Sequence, residues 1–307
     1  MAHAIRIHQH GGPEVLRWEE VTVADPGPGE VRVRNTAIGL NFIDTYQRSG
    51  LYPMPLPFTC GSEGAGVVEA IGPKVKGLKV GDRVAYANPI GAYAEVLLRP
   101  ADKLVKIPAG VSDQTAAAMM LKGMTAWYLL RRTYKVKKGD TILVHAAAGG
   151  VGQILCQWGK HLGATVIGTV GSEGKVAAAK KAGAKHVIVA EREVVSKRVR
   201  EITKGKGVPV VYDGTGKETF MDSLDCLAPL GVMASYGNAS GPPPAVSPLE
   251  LSKRGSLFLT RPTLFDYIAQ RADLAVQPPG ALSHGGHALP SRRRRRWCRP
   301  KYEAAAR

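Results

Sequence analysis

The chain has 307 residues, 44% of them hydrophobic, with a formal net charge of +17. That is room for about two domains with buried cores. It has no apolar run of the ~18 residues a membrane span needs, and no charged-then-apolar order of a secretory signal in Met1-Ala-His-Ala-Ile-Arg-Ile-His8, so a cytoplasmic protein is expected. Residues 275–307 hold eight Arg or Lys and one Glu, which leaves the body moderately basic at +10, suited to a polyanionic small ligand and not by itself a nucleic-acid signature.

Residues 1–35 read as strands and turns. Ala4–Ile7 alternates, Gly11–Pro13 turns, Val15–Val21 is strand-like, Asp25–Gly29 turns again, and Glu30–Arg34 alternates. A strand ending near Asn41 leads into a short helix. Asn41, Tyr46 and Tyr52 there gather an amide and two hydroxylated rings in one stretch, which suits either a cleft for a flat ring or simple packing at a domain edge. Stretches 61–72, 80–86, 91–96 and 103–108 continue as glycine-punctuated strands of a small barrel-like domain. Cys60, Cys156, Cys226 and Cys298 are far apart, with no C-x-x-C pair, which gives neither a closely spaced zinc site nor a disulfide framework. Helices are expected over 111–120, with Ser112 as cap, and over 124–130.

The chain's most informative stretch is His145-Ala-Ala-Ala-Gly149-Gly150-Val151-Gly152. An apolar run, 141–145, precedes it, and helical spacing of Ile154, Leu155, Trp158 and Leu162 follows. Such glycines serve a plain strand-to-helix turn. They also present backbone N–H groups and a positive helix end to a dinucleotide's pyrophosphate, which a side chain would keep away. The next strand, 165–170, ends in Val170-Gly171-Ser172 without the acid that would hold a ribose 2′-OH. Ser172 can donate to a phosphate and Lys175 can supply charge, which suits a 2′-phosphate and hence NADP over NAD. Glu173 argues the other way, and a helix cap and a surface lysine are the ordinary roles of Ser172 and Lys175.

Strands at 186–189, 209–213, 231–237 and 256–260 alternate with helices at 174–182, 193–203 and 217–227. This order predicts an α/β doubly wound parallel sheet with a ligand at the carboxyl ends of its strands. Loops Gly214-Thr215-Gly216 and Gly237-Asn238-Ala-Ser240-Gly241 lie at such ends. After Leu274 the periodicity stops. The Pro/Gly stretch from 277 and the five-arginine run from 292 predict disorder. The arginines could bind phosphate-rich polymers, but a solvated tail is the simpler expectation.

Over residues 3–274 the chain resembles the NADPH:quinone oxidoreductases, the zeta-crystallin-like branch of the zinc-free medium-chain dehydrogenase/reductases. The motifs that carry this are H-x-H-G-G-P-E-V-L at 8–16, N-F-I-D-T-Y-x-R-S-G-L-Y at 41–52 and H-A-A-A-G-G-V-G at 145–152. G-T-V-G-S-x-x-K at 168–175, Y-G-N-A-S-G at 236–241 and G-S-L-F-L-T-R-P at 255–262 extend them. The resemblance implies a β-rich GroES-like catalytic domain at 1–122, a Rossmann NADP-binding domain at 123–262, a return segment at 263–274 and an atypical tail at 275–307. It implies NADPH in a cleft between the two domains and a homodimer through the 255–262 edge strand.

The same resemblance implies that Asn41, Asp44, Tyr46 and Tyr52 line the nicotinamide and substrate cleft. Tyr128, Gly149, Gly150, Val151 and Gly152 would contact the cofactor, with Thr215, Gly237 and Asn238 near the nicotinamide side. Gly171, Ser172 and Lys175 would form the adenosine-phosphate pocket. No metal is expected, because Gly61-Ser62-Glu63 stands where zinc relatives have G-H-E. Two departures stand out. Ala190 replaces a tyrosine frequent in the family beside the phosphate, and the segment after 274, where the family continues with a helix, strands and a final helix, reads as though its reading frame had changed.

The expected reaction is hydride transfer from NADPH to a quinone, with Asn41, Tyr46 and Tyr52 orienting the acceptor. Reduction of α,β-unsaturated carbonyls is the alternative within the enzyme class. A non-catalytic NADPH- or RNA-binding crystallin-like protein is the alternative outside it. No membrane partner is expected, and nucleic acid only through the arginine tail.

Overall fold

Two antiparallel sheets build the first hundred positions. The computed structural model describes residues 1–269, and these divide into a unit of Met1–Met124 with Ile268 and Ala269, and a unit of Thr125–Tyr267.

In the first unit, β1 (Ala2–Ile7) pairs antiparallel with β2 (Arg17–Val21) and with β4 (Phe58–Thr59). The second sheet runs in the order β7-β3-β5-β6-β8, all antiparallel. Its strands are β3 (Glu30–Gly39), β5 (Glu63–Ile71), β6 (Arg83–Ala87), β7 (Val96–Pro100) and β8 (Val105–Lys106). Val31, Val33, Val68, Val84, Tyr86, Leu97 and Leu104 close its core. Helix α1 (Phe42–Ser49) follows β3.

Several sequence expectations shift here. Val15 belongs to a short 3-10 turn, Pro13–Val15, so the strand starts only at Arg17. Stretch 91–96 makes a single bridge, Ala94 to Ala4, before β7 begins at Val96. The two helices expected at 111–120 and 124–130 are one, α2 (Asp113–Tyr128), running on into a π turn over Leu129–Thr133. The helix runs through Gly123, and a helix interior tolerates glycine at a cost of about 1 kcal/mol. Burial of Met124, Ala126, Trp127 and Tyr128 offsets that.

The second unit alternates strand and helix. Its elements are β9 (Thr141–Val144), α3 (Gly150–His161), β10 (Thr165–Val170), α4 (Val176–Ala182), β11 (His186–Val189) and α5 (Val195–Ile202). Then come β12 (Val208–Asp213), α6 (Phe220–Cys226), β13 (Leu227–Ser235), α7 (Pro248–Lys253), β14 (Phe258–Thr260) and α8 (Leu264–Tyr267). The sheet order is β11-β10-β9-β12-β13-β14 and every pair is parallel. The chain winds outward one way from β9 and then the other way from β12, which makes the β9/β12 junction the switch point where an open α/β sheet binds ligands.

Leu143, Ile167, Val211 and Met233 fill the core from adjacent strands. Strand β13 covers 227–235 instead of 231–237, because Gly237 turns against Gly214 and cannot extend it. Helix α7, with Ser247 capping the Leu249 N–H, was not expected; its apolar spacing is too short to register. The predicted disordered tail, 275–307, and the last residues of the return segment lie outside the described residues.

Candidate functional site

In the second unit the glycine turn leaves β9 through Ala146, at φ 47°, and enters α3 at Gly150. The Ala147 N–H reaches the Thr169 carbonyl at 2.8 Å and Gly149 N–H the Ala146 carbonyl at 2.8 Å, which pins the turn to β10. Gly149 and Gly150 are exposed, and the first turn of α3 carries no acid. A Cβ at Gly152 would stand 2.2 Å from the Ala146 carbonyl oxygen. The helix can therefore pack on the turn only with glycine there. Val151 is half-buried beside it. The result is a positive helix end whose first turn, from Gly150, carries no acid, which fits a pyrophosphate.

The second turn, Gly171 to Lys175, leaves β10. Gly171 and Lys175 are exposed, and Ser172 takes the extended backbone of a cap position before the 3-10 turn Glu173–Lys175. Glu173, the acid that argued against a phosphate, is held by Arg192 at 3.0 Å. Arg192 lies in the loop after β11 and escaped the sequence reading, since only the pairing of β10 with β11 brings it here.

At the carboxyl ends of β12 and β13, two loops interlock. Ser240 N–H donates to the Thr215 carbonyl at 2.8 Å, Ala239 N–H to Gly214 at 3.2 Å and Lys217 N–H to Gly241 at 3.0 Å. A Cβ on Gly237 would lie 2.4 Å from the Gly214 carbonyl oxygen. Thr215, Gly237 and Asn238 are thus brought together, and Gly237 and Asn238 are buried.

Beneath these loops runs a buried chain that sequence reasoning missed. Asp213 accepts the N–H groups of Thr215 (2.8 Å) and Gly216 (3.1 Å) and the Thr219 hydroxyl (2.7 Å). Ser223 donates to Asp213 at 3.2 Å and meets His145 Nε2 at 2.9 Å, while His145 Nδ1 meets the Thr169 hydroxyl at 3.0 Å. With the one Ser223 proton on Asp213, His145 carries its proton on Nε2 and accepts at Nδ1. Tyr128, also in this unit, is buried with its ring stacked on Tyr267 at 4.3 Å. Burial pushes its phenol up.

In the first unit α1 gathers Asn41, Asp44 and Tyr46, with Tyr52 just after. Tyr46 is buried and meets the half-buried Tyr52 edge-on at 5.3 Å. Asp44 reaches back to the Asn41 N–H at 2.9 Å and accepts Ser62 (2.9 Å) and Tyr93 (2.9 Å) hydroxyls. Burial raises its pKa against those donors.

Asn41 stands at the N-cap of α1, in a capping box with Asp44, and its amide also reaches away from the helix. Its Nδ2 donates to Glu63 at 2.9 Å, and Glu63 also takes the Lys122 ammonium (2.8 Å) and the Leu121 N–H (2.6 Å). Glu63 is wholly buried, and burial raises its pKa while Lys122 opposes the rise. Glu63 belongs to the Gly-Ser-Glu stretch read only as a departure from zinc relatives; its partners lie too far along the chain to show in the sequence. Among the described residues no three His, Cys, Asp or Glu side chains converge as a metal would need. A concavity of about 350 Å³ between Ile5, Trp18, Asn35–Ile38 and Tyr93–Glu95 holds none of the predicted site residues.

Comparison with known proteins gives the family. An alcohol dehydrogenase GroES-like domain model matches residues 27–109 and a zinc-binding dehydrogenase model residues 150–273. A quinone oxidoreductase of Pseudomonas aeruginosa is 56% identical over 269 residues, 87% of this chain and 83% of that protein. A 2-haloacrylate reductase of a Burkholderia species is 52% identical, over 89% and 85%. The solved Escherichia coli quinone oxidoreductase, complexed with NADPH, superposes with a TM-score of 0.87 at 52% identity, over 89% and 84%. With a GroES-like unit, a doubly wound parallel unit and relatives this close along most of its length, the chain belongs to the quinone oxidoreductase family of the zinc-free medium-chain dehydrogenase/reductases.

Proposed function

We propose that this protein is an NADPH-dependent quinone reductase. The observation that carries the reading is the pair of turns at the carboxyl ends of β9 and β10. One offers exposed Gly149 and Gly150 at an acid-free helix start, and the other offers Ser172 and Lys175, with Arg192 as a second cation 3.0 Å from Glu173. The solved relative that holds NADPH supports the same cofactor here. Gly149–Gly152 would hold the pyrophosphate, Gly171, Ser172 and Lys175 the adenosine phosphate, and Thr215, Gly237 and Asn238 the nicotinamide end.

Bound NADPH supplies the hydride. The chain's own residues bind, align and exclude water. Asn41, held by Glu63, and the Tyr46–Tyr52 pair would orient the acceptor. The 2-haloacrylate reductase relative supports α,β-unsaturated carbonyls as the second acceptor class.

The domains that go with this reading are a GroES-like domain at 1–122, a Rossmann domain at 123–262 and a return segment at 263–274. We also propose a cytoplasmic location and a homodimer through the edge strand β14, where Phe258 and Leu259 are exposed.

A thermal melt with NADPH, with NADH and with neither tests the cofactor. A ligand at a hundred times its dissociation constant adds about 2.7 kcal/mol, so a rise with NADPH exceeding that with NADH is expected. NADPH oxidation against quinones and against haloacrylates or enones then ranks the acceptors. A melt moved by neither nucleotide overturns the reading.

A further inference from the structure

We propose that Arg192 is a specificity-determining residue for the cofactor: it leaves Glu173 to bind the adenosine 2′-phosphate beside Ser172 and Lys175. This rests on the NADPH reading above. Strands β10 and β11 pair in register, Thr169 with Ile188 and Val170 with Val189, and the Ala190 N–H reaches the Val170 carbonyl at 2.9 Å. The loops leaving them therefore start side by side. A tight turn, Arg192 N–H to the Val189 carbonyl at 2.9 Å, folds the second loop back. Its guanidinium ends 3.0 Å from Glu173, the residue between Ser172 and Gly174.

Both side chains of that pair are mostly exposed, 68% for Arg192 and 60% for Glu173. An exposed ion pair between long side chains is held weakly and is screened by salt. A phosphate dianion offers the same guanidinium two parallel charge-assisted bonds in a geometry its planar fork matches. Exchange of partner is therefore favoured with NADPH and has no counterpart with NADH, which lacks the 2′-phosphate.

The other charged groups nearby set the balance. Glu193 is occupied by the Val189 N–H at 3.2 Å and Arg198 at 3.5 Å. Glu191 is the acid that opposes a phosphate, its carboxylate 4.0 Å from where a Gly171 Cβ would stand. Lys175 alone would face the two carboxylates Glu173 and Glu191; Arg192 brings the cations to two, so that a dianion does not enter a net negative pocket. With Ala190 in place of a tyrosine frequent in the family, that second cation carries discrimination which the ring would otherwise share.

The test is equilibrium binding of NADPH and NADH to the full chain, followed by nucleotide fluorescence, for wild type, Arg192→Ala and Glu173→Gln. Arg192→Ala is expected to weaken NADPH about tenfold, one charge-assisted contact, and to leave NADH within about twofold. It should also flatten the salt dependence of NADPH binding. Glu173→Gln, which frees the guanidinium, is expected to tighten NADPH and not NADH. Equal losses with both nucleotides, or unchanged NADPH binding, overturn the assignment of Arg192 while leaving the cofactor reading intact. Failure of the wild type to bind NADPH overturns both.

Discussion

Gly152 has no room for a side chain. A Cβ there would lie 2.2 Å from the Ala146 carbonyl oxygen and 2.9 Å from the Ala147 Cα, both backbone, so neither can rotate away. Gly152→Ala must push α3 off the turn. Overpacking of this kind costs about 1–3 kcal/mol, and it displaces the N–H groups offered to the pyrophosphate. Gly174→Ala is the control, because nothing lies within 4 Å of its would-be Cβ and its backbone is one that alanine adopts. Surface changes of that sort stay within about 0.5 kcal/mol. Urea unfolding and NADPH titration of the two variants should separate them; equal stabilities would show that the helix start adapts. Gly149–Gly152 could be read from the sequence because glycines between an apolar run and a helical pattern have a local cause. Glu63 and Arg192 could not, because their meaning comes from Lys122 and Glu173, brought close only by sheet pairing.

Among elements, the β9 end, β10, β12 and α6 are tied by one chain of side chains, Thr169, His145, Ser223 and Asp213. Asp213 in turn holds the 215–216 backbone, so the chain secures two of the loops that would contact the cofactor. Full burial lowers the His145 pKa, while the Asp213 and Asp222 carboxylates pull it back up. An unfolded histidine titrates near 6.5. Because the native value lies below that, the unfolded chain binds more protons as pH falls through the interval between the two. The contribution of His145 is therefore full above about pH 6.5 and is lost progressively below it. His186, also shifted down by burial and by Lys185 and Arg198, acts in the same direction. Urea unfolding between pH 5 and 8 should show stability falling on the acid side, less steeply in His145→Gln than in wild type or His186→Gln. An unchanged slope in His145→Gln would place the acid sensitivity elsewhere. The strand and helix order of this unit was readable from alternating apolar runs, but the end of β13 was not, because the close contact of Gly237 with Gly214 stops it.

For the molecule as a whole, the division into a β-rich and a doubly wound part was readable, because short strands and turns up to residue 108 give way to strands alternating with helices from residue 141. The continuity of α2 through Gly123 was not, since tertiary burial overrides a single weak helix former. The edge of the parallel sheet carries the last consequence. Strand β14 bonds only β13 among the described residues, and it exposes Phe258 (59%) and Leu259 (42%) beside a free row of backbone groups. Proteins rarely leave such an edge open, because it templates pairing with another strand. Two-fold pairing of β14 with its copy would join the six-stranded sheets and satisfy the backbone groups of both edges, with Phe258 and Leu259 flanking the seam on opposite faces. Sedimentation at micromolar concentration is expected to give a dimer, and Phe258→Glu combined with Leu259→Lys a monomer that still binds NADPH. A wild-type chain that sediments as a monomer across that range would mean the edge is covered from within the same chain, and the double variant would then lose stability instead of a partner.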